Sequence, residues 1–344
     1  MQPADFLNLA GRAGRLQREF HGNVWCLRPE YWQVAPANQA ELPRIRSAFE
    51  TALSDGGSDI RRVLVGETTT GSAATAATAA GRLLTEYVFT GRTPEIASDA
   101  NVSAELSRTV AAVKSLELTL PREVFIRNST VLPTRIEALY TFLLKESSLD
   151  KWILPAPFSS SFYETLSLIF QLVNSELHKS ETIRHRFDAW LATRWIRQDT
   201  LQQMIDSSVK WRLSKGLRVD IQYIIRQIIR RIERRIRHQY VRYLRAYNDV
   251  LAVTLRHRNR ESDAETLIPI YLFLECGACD RTILSLISLG FSRTASLVLK
   301  RRLPFPADAS PEVCRQIVLK TNLASRRIPP VIRREAAALL GKSA

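Results

Sequence analysis

The sequence predicts a mainly α protein: a short α/β segment at the start, then a helical assembly that fills the remainder. Three observations carry this. From Asn101 onward apolar residues recur three and four positions apart, near 101–118, 133–146, 159–177, 179–193 and 197–214. Pro121, Pro133, Pro155 and Pro157 punctuate those segments as helix boundaries do. Finally, Leu217, Ile221, Ile225, Ile228, Ile232, Ile236, Tyr240, Leu244, Tyr247 and Leu251 step by threes and fours with no Gly or Pro between them. That row predicts one helix of roughly 50 Å.

Taken in order, residues 1–35 form the first unit. Gly11-Arg12-Ala13-Gly14-Arg15 sets two guanidinium groups three residues apart, on one face of a helix. Arg is suited to clamping phosphate oxygens, because its planar fork stays charged. Gly22 to Leu27 then reads as a turn entering a buried strand, and Pro29 and Pro36 mark the exit. Residues 36–100 read as a linker and helical connection. A helix is expected from Glu41 to Leu53, stopped by Asp55-Gly56-Gly57. The Ala-rich stretch Thr68 to Leu84 favours a closely packed helix capped at Ser72, with a flexible linker as the alternative. Residues 101–215 read as a helical accessory domain. Arg122 to Ile126 has room for a short strand there, and with it a small winged-helix element. Residues 216–344 read as a basic helical bundle.

The opening stretch, FLNLAGRAGRL followed by GNVWCL, resembles motif VI and the next strand of superfamily-2 helicases of the DEAD/DEAH and Ski-type group. The resemblance implies that 1–35 is the remnant of a second RecA-like lobe. It implies that Arg12 and Arg15 are arginine fingers for the γ-phosphate of ATP, with Asn8, Gly11 and Gly14 beside the nucleotide. ATP and Mg are then the cofactors, bound mainly by a first lobe. That lobe needs a Gly-rich loop with Lys and an acidic pair for the metal. Neither occurs here: the nearest spacing match, Gly66 to Ser72, has Ser72 where Lys is required, and there is no DExH or DExD string. The expectation is the carboxy-terminal portion of a larger helicase, inactive alone and partnered by a polypeptide carrying lobe 1. With the later stretches IYLFLECGA and LISLGFSRTASLVL, the chain is also similar to helicase subunits of the bacterial Hachiman antiphage system, which implies a defence role. The alternative is a non-catalytic nucleic-acid- or partner-binding helical protein with a vestigial motif VI.

Charge points the same way. The net charge is +15, yet residues 1–175 hold 17 Lys/Arg against 18 Asp/Glu, so the excess lies wholly beyond them. Much of it decorates the long helix: Arg226, Arg230, Arg231, Arg234, Arg235, Arg237, Arg242 and Arg245, with Glu233 as the lone acid among them. Eight Arg with so little acid repel one another unless an anion meets them. The expected partner is nucleic acid, single-stranded and held without sequence preference. In Ski-type helicases a long helix plays such a part. No apolar run is long enough to span a bilayer, so no membrane is expected. Four cysteines in such a length fit a reducing cytoplasm rather than a disulfide framework. Cys276-x-x-Cys279 stands alone, short of the four ligands zinc wants, and is read as a structural thiol pair with no metal. Leu286 to Ala295 reads as helix, left-handed stop at Gly290, cap at Ser292 and a new helix. The five histidines are scattered and suggest no catalytic arrangement.

Overall fold

The structure is a computed structural model that describes residues 48–65, 85, 88–91, 100–178 and 184–341. The motif VI segment and the Thr68 to Leu84 stretch lie outside the described residues. Among the described residues there is no strand, and the protein is mainly α.

Helix α1 (Ala48–Leu64) runs straight through Asp55-Gly56-Gly57, the triplet expected to stop it. The reason is a close approach. Gly57 is buried against Glu105 of α2 (Ala100–Lys114), and a Cβ there would run into the Glu105 carboxylate, which also pairs with Arg61 one turn along. Here glycine brings two helices together rather than ending one. Leu53, Ile60 and Leu64 close a small core with Val102 and Val113. The segment expected as a strand is helix α3 (Arg122–Arg127). Val124 and Phe125, adjacent in sequence, are both buried, which a half-exposed strand would forbid. Asn128 holds its end, donating to the Val124 carbonyl and to Asp249, each at 2.8 Å.

The main core is one apolar cluster from Leu120 to Leu274, so the domain boundary expected at 215 falls inside it. It is enclosed by α4 (Pro133–Lys145), α5 (Phe162–Val173), α6 (His185–Ile196), α7 (Leu201–Ser214) and the long helix. Proline at the first turn starts α4, where no amide is missed. A reciprocal Thr200–Gln203 capping box starts α7. The long helix comprises α8 (Ile221–Arg231), a wide π-helical stretch (Ile232–Tyr240) and α9 (Val241–His257). Asp220 caps it, accepting from the Tyr223 amide at 3.0 Å. The apolar row starts later than expected: Leu217 precedes the helix, and it and Ile221 are exposed, whereas Ile224 and Ile228 are buried. The short helices α10 (Glu261–Glu265) and α11 (Ile270–Cys276) fold back on α9.

The π-helical stretch has a cause in the sequence. An α-helix keeps a row on one face only by mixing steps of three and four, because its turn holds 3.6 residues. From Ile228 through Ile232, Ile236 and Tyr240 to Leu244 every step is four, and all five side chains are buried. Those residues stay in the core only if the helix is locally unwound, which the wider turn supplies. A shorter π turn (Asn174–His178) follows α5, again where buried residues, Val173 and Leu177, lie four apart.

The last four helices, α12 (Arg281–Ser288), α13 (Arg293–Arg302), α14 (Pro311–Lys320) and α15 (Pro330–Leu340), surround a second core of Leu286, Phe291, Leu299, Cys314, Val318 and Ile332. The α12–α13 turn is as expected: Gly290 has φ +99° and Ser292 Oγ accepts from the Ala295 amide. The Ser292 amide itself donates to Glu335 of α15, so this turn already holds a carboxylate of its own chain.

Arg293 ties this part to the main core. Its guanidinium lies 3.8 Å from the Trp195 ring centroid and donates to the carbonyls of Gly277, Trp195 and Asp199 at 2.8–3.0 Å. Burial pulls its pKa down to about 10, so it stays charged at neutral pH. Gly277 ends α11 at φ +69°, and a Cβ there would strike both Trp195 and Arg293. Gly277→Ala is therefore expected to destabilise by about 2–4 kcal/mol, from the left-handed backbone and the clash together. A urea midpoint within experimental error of the wild type would show that the Arg293 junction does not hold the two cores.

Candidate functional site

The eight arginines of the long helix separate into two groups. Arg226, Arg230, Arg234, Arg237 and Arg245 are exposed, while Arg231, Arg235 and Arg242 are half-buried. Asp188 accounts for two of the three half-buried ones. This carboxylate, on α6, is fully buried and forms ion pairs with Arg231 and, at 3.5 Å, with Arg235. Burial pushes its pKa above the usual aspartate range, and the two guanidinium groups pull against that. The Tyr240 hydroxyl donates to it at 3.4 Å and accepts from Asn174 at 2.8 Å. Burial, and then Asp188 itself, raise the Tyr240 hydroxyl far enough that it keeps its proton. The Tyr240 ring is stacked on Phe170, centroids 3.8 Å apart. Arg242 lies 5.7 Å over the Tyr243 ring. These arginines are therefore structural at their tips.

The outward group is differently placed. Arg226, Arg230 and Arg234 follow each other by four, the same step as the buried row, and line a shallow groove of about 610 Å³ with Tyr223, Gln227, Gln239 and the Asp188-paired Arg231 and Arg235. Among the described residues no carboxylate lines that groove. Among the described residues none of these three, nor Arg245, has an ion-pair partner, although Arg226 donates to the carbonyl of Gln222. Arg237 turns toward α11, donating to the Glu275 carbonyl at 3.3 Å. The arrangement presents fixed positive charge with free N–H donors, and it has no acid–base pair or nucleophile to do covalent chemistry.

Cys276 and Cys279 are half-buried free thiols, and burial pushes both pKa values up, away from the reactive range. Among the described residues no three His, Cys, Asp or Glu side chains gather as metal ligands would. Arg12, Arg15, Asn8, Gly11 and Gly14 lie outside the described residues, so the arginine fingers have no geometry to report. Among the described residues, no helix is long and apolar enough to cross a membrane. No protein-family model, curated protein or solved structure matches this chain significantly.

Spacing alone does not single out Asp188. The available signal is a lone acid inside HRFDAWLA, an otherwise apolar and basic helix start. The aromatic residues near the groove (Phe187, Trp190, Trp211) give no motif either. They are brought together where α7 packs on α8 and α6 packs on the π-helical stretch.

Asp188→Ala leaves two half-buried guanidinium groups and the buried Tyr240 hydroxyl without their carboxylate and is expected to cost about 3 kcal/mol. Arg234→Gln, on the solvent side of the same helix, is expected to change stability by less than about 0.5 kcal/mol. Thermal unfolding of the two variants checks the pair; equal effects would mean that the inward and outward arginines are not distinct.

Proposed function

We propose that this chain is a helicase-related region that grips a single nucleic-acid strand along the outer face of its long helix. One observation carries the reading: three solvent-facing arginines at a constant step, on a helix anchored in the core, line a groove with no acid in it. Phosphates of a flexible strand are the anions that suit such a row, because each is singly charged and evenly spaced along the backbone. The half of the sequence beyond residue 175 carries the whole positive excess, which supports the same partner by long-range attraction. Binding should ignore base sequence, since phosphate contacts carry none.

The motif VI resemblance extends the proposal. Arg12 and Arg15 complete an ATP site whose phosphate loop and Mg-binding acids come from a polypeptide with the first RecA-like lobe. The chain alone then binds a strand without turning over ATP. A place in antiphage defence, in the bacterial cytoplasm, follows from the same resemblance.

Fluorescence anisotropy with a labelled oligothymidylate tests the groove. If three to five phosphates are contacted, log K should fall against log salt with a slope of about −2 to −3.5. Replacing Arg226, Arg230 and Arg234 together by Gln preserves helix propensity and should reduce that slope by about 2. A salt-insensitive affinity, or a triple variant that binds as the wild type does, would place the strand elsewhere or remove it.

A second experiment addresses the fingers. With a first-lobe polypeptide supplied, Arg15→Ala is expected to lower ATP turnover about 10³-fold and leave ATP affinity nearly unchanged. Equal losses in affinity and turnover would make Arg15 a binding residue and not a finger.

A further inference from the structure

Beside the arginine groove lies a second cavity, about 600 Å³ in volume, walled by α6, α7 and α8. Its walls are aromatic: Phe187 and Trp190 on α6 are stacked with centroids 5.5 Å apart, Tyr163 lies at one edge, and Trp211 on α7 is more than half exposed. Among the described residues that line it stand three arginines, Arg184, Arg186 and Arg212, and no carboxylate. Arg186 has Glu164 at 3.6 Å, and Glu164 lies outside the cavity.

Three features say what fits. First, the cavity is large enough for a planar ring system. Stacked and exposed aromatic faces attract such rings without regard to their substituents. Second, Arg184, His185 and Arg186 line it at the start of α6, where Arg184 gives no side-chain cap. The Arg184 carbonyl takes the Phe187 and Asp188 amides, while those of His185 and Arg186 have no partner among the described residues and lie at the positive end of the helix dipole. Third, it is continuous with the arginine groove. Gln227 lines both, and Arg212 of the cavity lies 5.7 Å over the ring of Tyr223 of the groove. Arg231, held by Asp188, lies 5.2 Å over Phe187 and fixes that ring at the boundary. An apolar peptide would satisfy the rings and leave two cations, Arg184 and Arg212, unmatched. A nucleotide satisfies both.

We infer that this cavity receives one unstacked base of the strand that runs along Arg226, Arg230 and Arg234, with its phosphate against Arg184, Arg212 and the amides opening α6. The site rests on the proposed strand grip, and it adds what the groove lacks: a contact that recognises a base as a ring. The Gln227 amide, at the junction, is placed to meet the polar edge of that base. Any of the four bases can enter, because each has a face to stack.

The test uses the full chain with two labelled strands of equal length, an oligothymidylate and its abasic counterpart, which has the same phosphates and no rings. The wild type is expected to prefer the oligothymidylate by between about fivefold and about a hundredfold, the range of one stacked base. Trp211→Ala, at a side chain 57% exposed and therefore tolerated by the fold, should abolish most of that preference and leave the salt slope unchanged. Trp211→Tyr should restore it. The arginine triple variant should do the reverse, lowering the slope while the ratio between the two strands persists. Equal wild-type affinity for the two strands, or a preference that survives Trp211→Ala, overturns the base site while leaving the strand grip intact. If neither strand binds, adenosine monophosphate titrated against tryptophan fluorescence separates the remaining outcomes. Quenching that Trp211→Ala removes keeps the cavity as a site for a free nucleotide and overturns its tie to a strand; no quenching overturns it altogether.

Discussion

One buried carboxylate decides how the surface of this protein is charged. Asp188 is removed from water among apolar side chains, a placement tolerable only with cations and donors around it. Arg231, Arg235 and Tyr240 fill that need, and in doing so they fix the rotation of the long helix against α6. Once these point inward, residues 226, 230 and 234 have no freedom: they face outward together. The aromatic cavity depends on the same pair of helices, since Phe187 directly precedes Asp188 and lies under Arg231. The phosphate-facing row and the ring-lined cavity are two results of one burial.

Much of the helical architecture was legible because burial periodicity is a local signal. The apolar spacing located α4, α5, α7 and the long helix, and the Gly290–Ser292 turn was readable from backbone chemistry alone. The failures arose where a residue acts through a distant partner. Gly57 looks like a helix stop until Glu105 is seen packed against it. Arg122 to Ile126 has the composition of a strand, but both neighbours Val124 and Phe125 are claimed by the core. Eight arginines on one helix look alike in a sequence. Only the position of Asp188, dozens of residues earlier, tells an ion-paired arginine from a solvent-facing one.

The second core is held to the first through a cation rather than through apolar contact alone. Arg293 donates to three carbonyls, those of Gly277 at the end of α11, Trp195 in the last turn of α6 and Asp199 just beyond it, and covers Trp195, so it acts as a joint between two helix termini. The same logic appears at Ser292, whose amide is matched by Glu335 rather than left for an outside anion. In both places the chain supplies its own counter-group, which separates these features from Arg226, Arg230 and Arg234 of the groove, which have none among the described residues.

The unwound stretch between Ile232 and Tyr240 has an evolutionary consequence. Because five core residues in succession keep their face only by a four-residue step, losing or gaining one residue there would hand every later side chain to a neighbouring face. Ile236 or Tyr240 can be exchanged for another large apolar group more easily than the count between them can change. Variation in length is affordable only outside the helix, beyond the turns at Gly216 and Asn259, where positive φ angles mark the hydrogen-bonded ends of α7 and α9. Lineages carrying this fold should therefore exchange one large apolar group for another along the buried row, and vary hardly at all in the length of the helix.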